Sequence, residues 1–268
     1  MTMDTILILW SGGFVSGILA GLLGIGGGVL LVPLMIALGF QPLQAIATSN
    51  VAIAITSFSG SLQNWRMGKL DFHRVMGMGL PALCTAQLGV WLANQWNRHH
   101  PVILLFAFGI LLVGNVYLLG MGKQHQPPSK VNNWTINLAR IGTGGLVGIV
   151  SGLFGVGGGA IMVPLQMVWL GETIKVAVQT SLGVVVMTGV SAVVGHGLNH
   201  HVLFIPGGLL GFGGLVGAQF STRVLPRLPD PVITLGFRSL LFILAAYMFY
   251  KTWQTHLALP VITPTVNR

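Results

Sequence analysis

AGLLGIGGGVLLVPLM occupies residues 20–35, and SGLFGVGGGAIMVPLQ occupies residues 151–166. Each copy holds three consecutive glycines, Gly26-Gly27-Gly28 or Gly157-Gly158-Gly159, and a proline five residues on, Pro33 or Pro164. Both lie in long apolar surroundings almost free of charge. The phrase reads as a helix broken by glycine inside an apolar environment, used once in each of two related halves. In membrane proteins such paired interruptions point to a binding site between repeats.

The match runs well beyond the glycines. Gly39 pairs with Gly171, Thr48-Ser49 with Thr180-Ser181, Ala86-Gln87 with Ala218-Gln219, and Pro101-Val102-Ile103 with Pro231-Val232-Ile233. The offset stays between 130 and 132, so one duplication covers nearly the whole chain. This divides it into a first repeat at 1–120, a polar linker at 121–133 carrying Pro127-Pro128, and a second repeat at 134–268.

Composition names the solvent. The 268 residues are 53% apolar and 6% charged, where soluble domains average about 25% charged. Mean hydropathy is +0.82. So few charges cannot build a water-facing surface at this size, and the bilayer takes that place. The expected fold class is an all-α polytopic membrane protein with no extramembrane domain beyond loops. Its N-terminus lacks a basic signal-peptide region, so the first apolar run is expected to be retained.

Each half holds five apolar segments, at about 5–24, 28–40, 43–64, 73–95 and 101–120, then 136–155, 159–171, 174–196, 202–223 and 231–252. Three per half are expected to be long enough to span, since about 20 residues cross the hydrocarbon. The second segment of each half is shorter, about 20 Å of helix. The short segments either cross or form re-entrant hairpins with their predecessors, and the sequence leaves both open.

Charge sets the orientation. Thirteen Lys and Arg face only Asp4, Asp71, Glu172 and Asp230, a net charge of +9. With an odd count of crossings per half, Arg66, Lys69, Arg74, Lys123, Lys130, Arg140, Lys175, Arg223, Arg227 and Arg238 gather on one side. Arg98, Lys251 and Arg268 gather on the other. The richer side is expected in the cytoplasm. The halves are then inverted repeats, with both termini periplasmic. The basic residues lie singly between apolar runs, so no nucleic-acid partner is expected.

A helix that starts at a glycine break leaves its first N–H groups unpaired, and its dipole favours an anion there. Gly24, Gly26, Gly27 and Gly28, with Gly155, Gly157, Gly158 and Gly159, are therefore candidate substrate-binding residues near the midplane. Close helix packing is the alternative use of such glycines. Thr48, Ser49 and Asn50, with Thr180 and Ser181, carry polar groups that suit an anion's oxygens. Capping or bonding to their own helix is the alternative. Gln87 and Gln219 recur deep in the fourth segments, either on substrate or bridging helices. Asn115 reads as glue between helices, Cys84 as a small packing residue, and His196, His200 and His201 as a solvated loop. No carboxylate sits clearly at midmembrane depth, so proton coupling through a buried acid has no candidate. No catalytic constellation, cofactor or metal cluster is visible, so an enzyme is not expected.

These residues resemble the TauE/SafE family, the four-toluene-sulfonate uptake permeases. The resemblance rests on both glycine–proline phrases, on IATSNVA and VQTSLGV after them, and on the two-half layout, over almost the full length. It implies a bacterial inner-membrane transporter of small anions such as sulfite, sulfonates and sulfoacetate, with Gly24, Gly26, Gly27, Gly28, Pro33, Thr48, Ser49 and their second-half counterparts as the family's matching positions. Asn50 has Leu182 as its counterpart, so the two sides are not equal. Alternating access is the expected mechanism. A homodimer is a compatible assembly. The rival reading is a non-transporting membrane assembly subunit.

Overall fold

A chain surrounded by hydrocarbon must pair its backbone polar groups within each segment, which leaves the α-helix for apolar runs of this kind. The computed structural model describes residues 3–99, 101–121 and 133–258. Within them lie α1 (Met3–Leu23), α2 (Gly28–Ala37), α3 (Pro42–Arg66), α4 (Phe72–His99), α5 (Pro101–Met121), α6 (Asn133–Phe154), α7 (Gly159–Trp169), α8 (Ile174–Leu198), α9 (Phe204–Val224) and α10 (Asp230–Ala258). Among the described residues there is no strand. Apart from its two ends, the linker expected at 121–133 lies outside the described residues.

Eight of these helices are long and apolar enough to cross a membrane, four in each half. The expectation of three per half undercounts: in each half every segment but the short second one forms a helix of 21 residues or more. The short helices α2 and α7 hold 10 and 11 residues. Pro33 and Pro164 lie inside them, so the prolines do not make the breaks; the glycines do.

α3 and α8 form the centre, with 67% and 72% of their apolar windows buried. The remaining contacts exchange partners between halves: α1 packs on α9, and its counterpart α6 packs on α4. α3 packs on α9 as α8 packs on α4, α2 on α3 as α7 on α8, and α5 lies along α10. α3 and α8 run in opposite directions. Beyond the end of α3, Arg74 in the first turn of α4 meets Glu172 in the turn that leads into α8. Near the other end of α3, Thr48 accepts a hydrogen bond from Leu203, which lies beyond the end of α8. Outer faces carry large apolar side chains such as Trp10, Phe106, Phe212 and Phe242, as a lipid-facing surface requires.

The crossed pairs need bare backbone. A Cβ on Gly17 of α1 would fall 2.6 Å from the Cα of Gly214 on α9. Its counterpart Gly148 on α6 would place one 2.8 Å from the Cα of Ala82 on α4. Overpacking costs about 1–3 kcal/mol. Gly17→Leu and Gly148→Leu should each destabilise the protein by at least that order, read as a fall in detergent melting temperature, whereas Gly114→Leu, where a Cβ meets open space, should leave it unchanged.

Candidate functional site

The glycine phrases end α1 and α6 and start α2 and α7. Gly27 and Gly158 are the residues before the short helices, with φ of 90° and 74°. That left-handed conformation strains any side chain but suits glycine. Leu30 and Leu31 donate to the Gly27 carbonyl, and Ile161 and Met162 to that of Gly158. The first amides of each helix have no acceptor within it, as at any helix start.

All eight candidate glycines are buried, and the two turns lie against each other. A Cβ on Gly28 would stand 2.6 Å from both the Gly155 oxygen and the Val156 Cα. A Cβ on Gly159 would strike Gly24 and Ile25 in the same way. Ile53 and Val185, which are counterparts, together flank Gly26 and Gly157.

Ser49 and Ser181 lock this crossing. Ser49 Oγ lies 2.8 Å from the Gly155 carbonyl oxygen of the other half and 2.8 Å from that of Ile46 in its own helix. Ser181 Oγ lies 2.7 Å from the Gly24 oxygen and 2.8 Å from that of Val178. Each hydroxyl shares one proton between its own helix and the opposite turn. The structure thus brings the glycine turns and both serines together at one place.

The other candidates sit as follows. Thr48 Oγ1 accepts the Leu203 amide at 3.0 Å. Thr180 is buried beside Ser181. Asn50 is fully buried; its Nδ2 donates to Ile46 at 2.9 Å, while its Oδ1 has no hydrogen-bond partner. The glutamines are apart from the crossing. Gln87 donates to the Ser191 carbonyl at 2.7 Å and to its hydroxyl at 2.8 Å, tying α4 to α8. Gln219 donates to the Ser59 carbonyl at 3.4 Å, tying α9 to α3.

Three sequence expectations need correction. His196 is not in a solvated loop: α8 continues to Leu198, and His196 is fully buried with Nε2 3.0 Å from the Gly152 oxygen. Asn115 does not bridge helices; its Nδ2 donates to Leu111, one turn back in α5. Cys84 lies on the exposed face of α4 rather than in packing. Sequence reasoning also passed over Ser16, whose hydroxyl donates to the Gly27 carbonyl at 2.9 Å. Its counterpart is Val147, so no repetition flags it.

The family model described as Sulfite exporter TauE/SafE matches residues 9–248. The chain is 24% identical to the probable membrane transporter protein YunE of Bacillus subtilis, over 89% of this chain and 95% of that protein. It is 26% identical to a probable membrane transporter protein of Xylella fastidiosa, over 96% of this chain and all of the relative. A probable membrane transporter protein of Haemophilus influenzae is 25% identical over the same shares.

A hydrogen bond within a membrane protein contributes about 0.6 kcal/mol on average and up to about 1.7. Ser49→Ala and Ser181→Ala each leave a buried carbonyl of the opposite half short of a donor. Each should lower unfolding stability by about 1 kcal/mol, read as a fall in detergent melting temperature. A wild-type melting temperature in both variants would mean that the serines do not hold the crossing.

Proposed function

The chain belongs to the sulfite exporter TauE/SafE family and is a membrane transporter; from that premise we propose that its cargo is a small anion, a sulfur oxyanion or sulfonate in particular. The observation that carries this reading is the meeting of two helix starts, α2 and α7, in the buried centre. Both direct unpaired first-turn amides and the positive end of a helix dipole to the same region, a combination that favours negative charge. Irregular backbone at membrane depth is otherwise tolerated only where protein buries it or a wet cavity adjoins it.

In the described conformation the turns are closed on each other. Admission of an anion requires them to part, with Ser49 leaving Gly155 and Ser181 leaving Gly24. Two neutral hydrogen bonds contribute about 1–3 kcal/mol together, a cost that an anion's new hydrogen bonds can offset. Ser49, Ser181, Thr48 and Thr180 then supply donors, and Asn50 the second N–H of its Nδ2, whose first is on Ile46. Gln87, on Ser191, and Gln219, on Ser59, bond across the two halves, so these contacts change as one half rocks against the other, which is alternating access about a fixed centre. The basic side faces the cytoplasm of a bacterial inner membrane in this reading, with both termini periplasmic. With the inside negative, voltage alone drives an anion outward at about 2.3 kcal/mol per charge per 100 mV.

Purified protein in proteoliposomes should carry at least one of sulfite, thiosulfate or a small sulfonate saturably, in preference to chloride, and faster with the exit side positive. Folded protein that moves none of them under voltage, pH or sodium gradients would favour the assembly-subunit reading.

A further inference from the structure

A cavity of about 590 Å³ opens away from the glycine crossing, between the start of α4, the first turns of α6 and the α7–α8 turn. Arg74, Arg140, Glu172, Thr135, Thr173 and Trp169 are among its walls. Arg74 Nη1 is 2.8 Å from Glu172 Oε1, and its Nε is 2.9 Å from Asp71 Oδ2. The Glu172 side chain is only 10% exposed. Its second oxygen is buried without a hydrogen-bond partner, and so is Nε of Arg140. Two arginines and two threonines thus line a space in which one carboxylate takes the place of an acid ligand.

The charge is confined to this end. By the repeat offset, the counterparts of Arg140, Glu172 and Arg74 are Leu9, Phe40 and Pro206. Leu9 is fully buried in an apolar cluster. A fold that needed these charges for packing alone would need them in both halves. Glu172 also sits in the turn that ends α7, and its amide donates to the Gln166 carbonyl of that helix. An 11-residue helix is about 16 Å long, so the cavity lies one short helix away from the Gly158 turn.

Resting on the anion-transport reading, we propose that this cavity is the docking site for the anion on the basic side. Arg74 and Arg140 hold it, and Glu172 is a resident competitor that takes up a proton when the anion replaces it at Arg74. The charge balance favours exchange. An ionised sulfonate and an ionised Glu172 repel across one cavity, whereas a protonated Glu172 leaves both guanidinium groups to the ligand. Burial already pushes the Glu172 carboxyl above its usual value, against the lowering influence of Arg74 and Arg140, and Asp71 raises it further. Asp71 titrates lower: slight burial raises it, but the Arg74 and His73 amides and the Arg74 guanidinium outweigh that. Lys175, on the neighbouring turn of α8, is paired with Asp230 at 3.4 Å.

The test is calorimetric titration of detergent-purified protein with methanesulfonate, which stays ionised across the range. Wild type should bind more tightly as pH falls, with protons taken up on binding, as shown by the dependence of the heat on buffer ionisation. Glu172→Gln should bind at neutral pH about tenfold or more tighter than wild type, with the pH dependence and proton uptake gone. This isosteric change predicts a gain, which misfolding cannot imitate. Arg140→Gln should weaken binding about tenfold or more, and Arg140→Lys should recover part of it. Unchanged affinity and pH dependence in Glu172→Gln, in protein that still carries sulfonate, would overturn the cavity and leave the transport reading standing. The expected binding pattern in protein that carries no anion would support the cavity and remove the transport reading.

Discussion

Everything in this fold depends on how two breaks in helical backbone are made tolerable inside an apolar solvent. A glycine turn frees carbonyl and amide groups that hydrocarbon cannot satisfy. Here each turn is buried against the other, and each receives a serine hydroxyl from the opposite half, Ser49 on Gly155 and Ser181 on Gly24. Ser16 and Thr188 serve Gly27 and Gly157 within their own halves, but the Gly24 and Gly155 carbonyls receive these hydroxyls only from the opposite half. One half alone would therefore leave its Gly24 or Gly155 carbonyl without the hydroxyl that the other half supplies.

The same reciprocity organises the long helices. α1 lies on α9 and α6 on α4, so the outer helices of one half complete the other. Gly17 against Gly214 and Gly148 against Ala82 let backbones approach, in the way small residues serve membrane interfaces. Polar side chains follow suit: Gln87 bonds Ser191 on α8, and Gln219 bonds Ser59 on α3. Even the ends of α3 and α8 correspond, for Gly68 and His200 both take positive φ, 66° and 57°. His200 is the non-glycine residue in that conformation among the described residues. The second half keeps the shape there at the cost of strain in a bulky side chain.

The symmetry lapses at a few polar positions. Asn50 faces Leu182 as its counterpart, Ser16 faces Val147, and the Arg74–Glu172–Arg140 group faces apolar residues. Packing constrains both halves alike, so a charged group kept in one half answers to something outside the shared fold. Glu172 is the instructive residue. As a letter in a loop it carries little meaning, but folded it is mostly buried against an arginine from a distant turn.

The sequence by itself determined the helical class, the membrane as solvent, the two halves and the breaks at Gly24–Gly28 and Gly155–Gly159, because these follow from local composition and period. The helix start at Gly28 was legible for the same reason: glycine acts on its own backbone. Tertiary structure alone decided what each polar group bonds. Ser49 and Ser181 reach carbonyls more than a hundred positions away. Gln87 is spent on Ser191, His196 is buried against Gly152, and Arg74 meets Glu172. A hydrogen bond depends on positions within about 3 Å, and only the packing of distant helices fixes positions that closely.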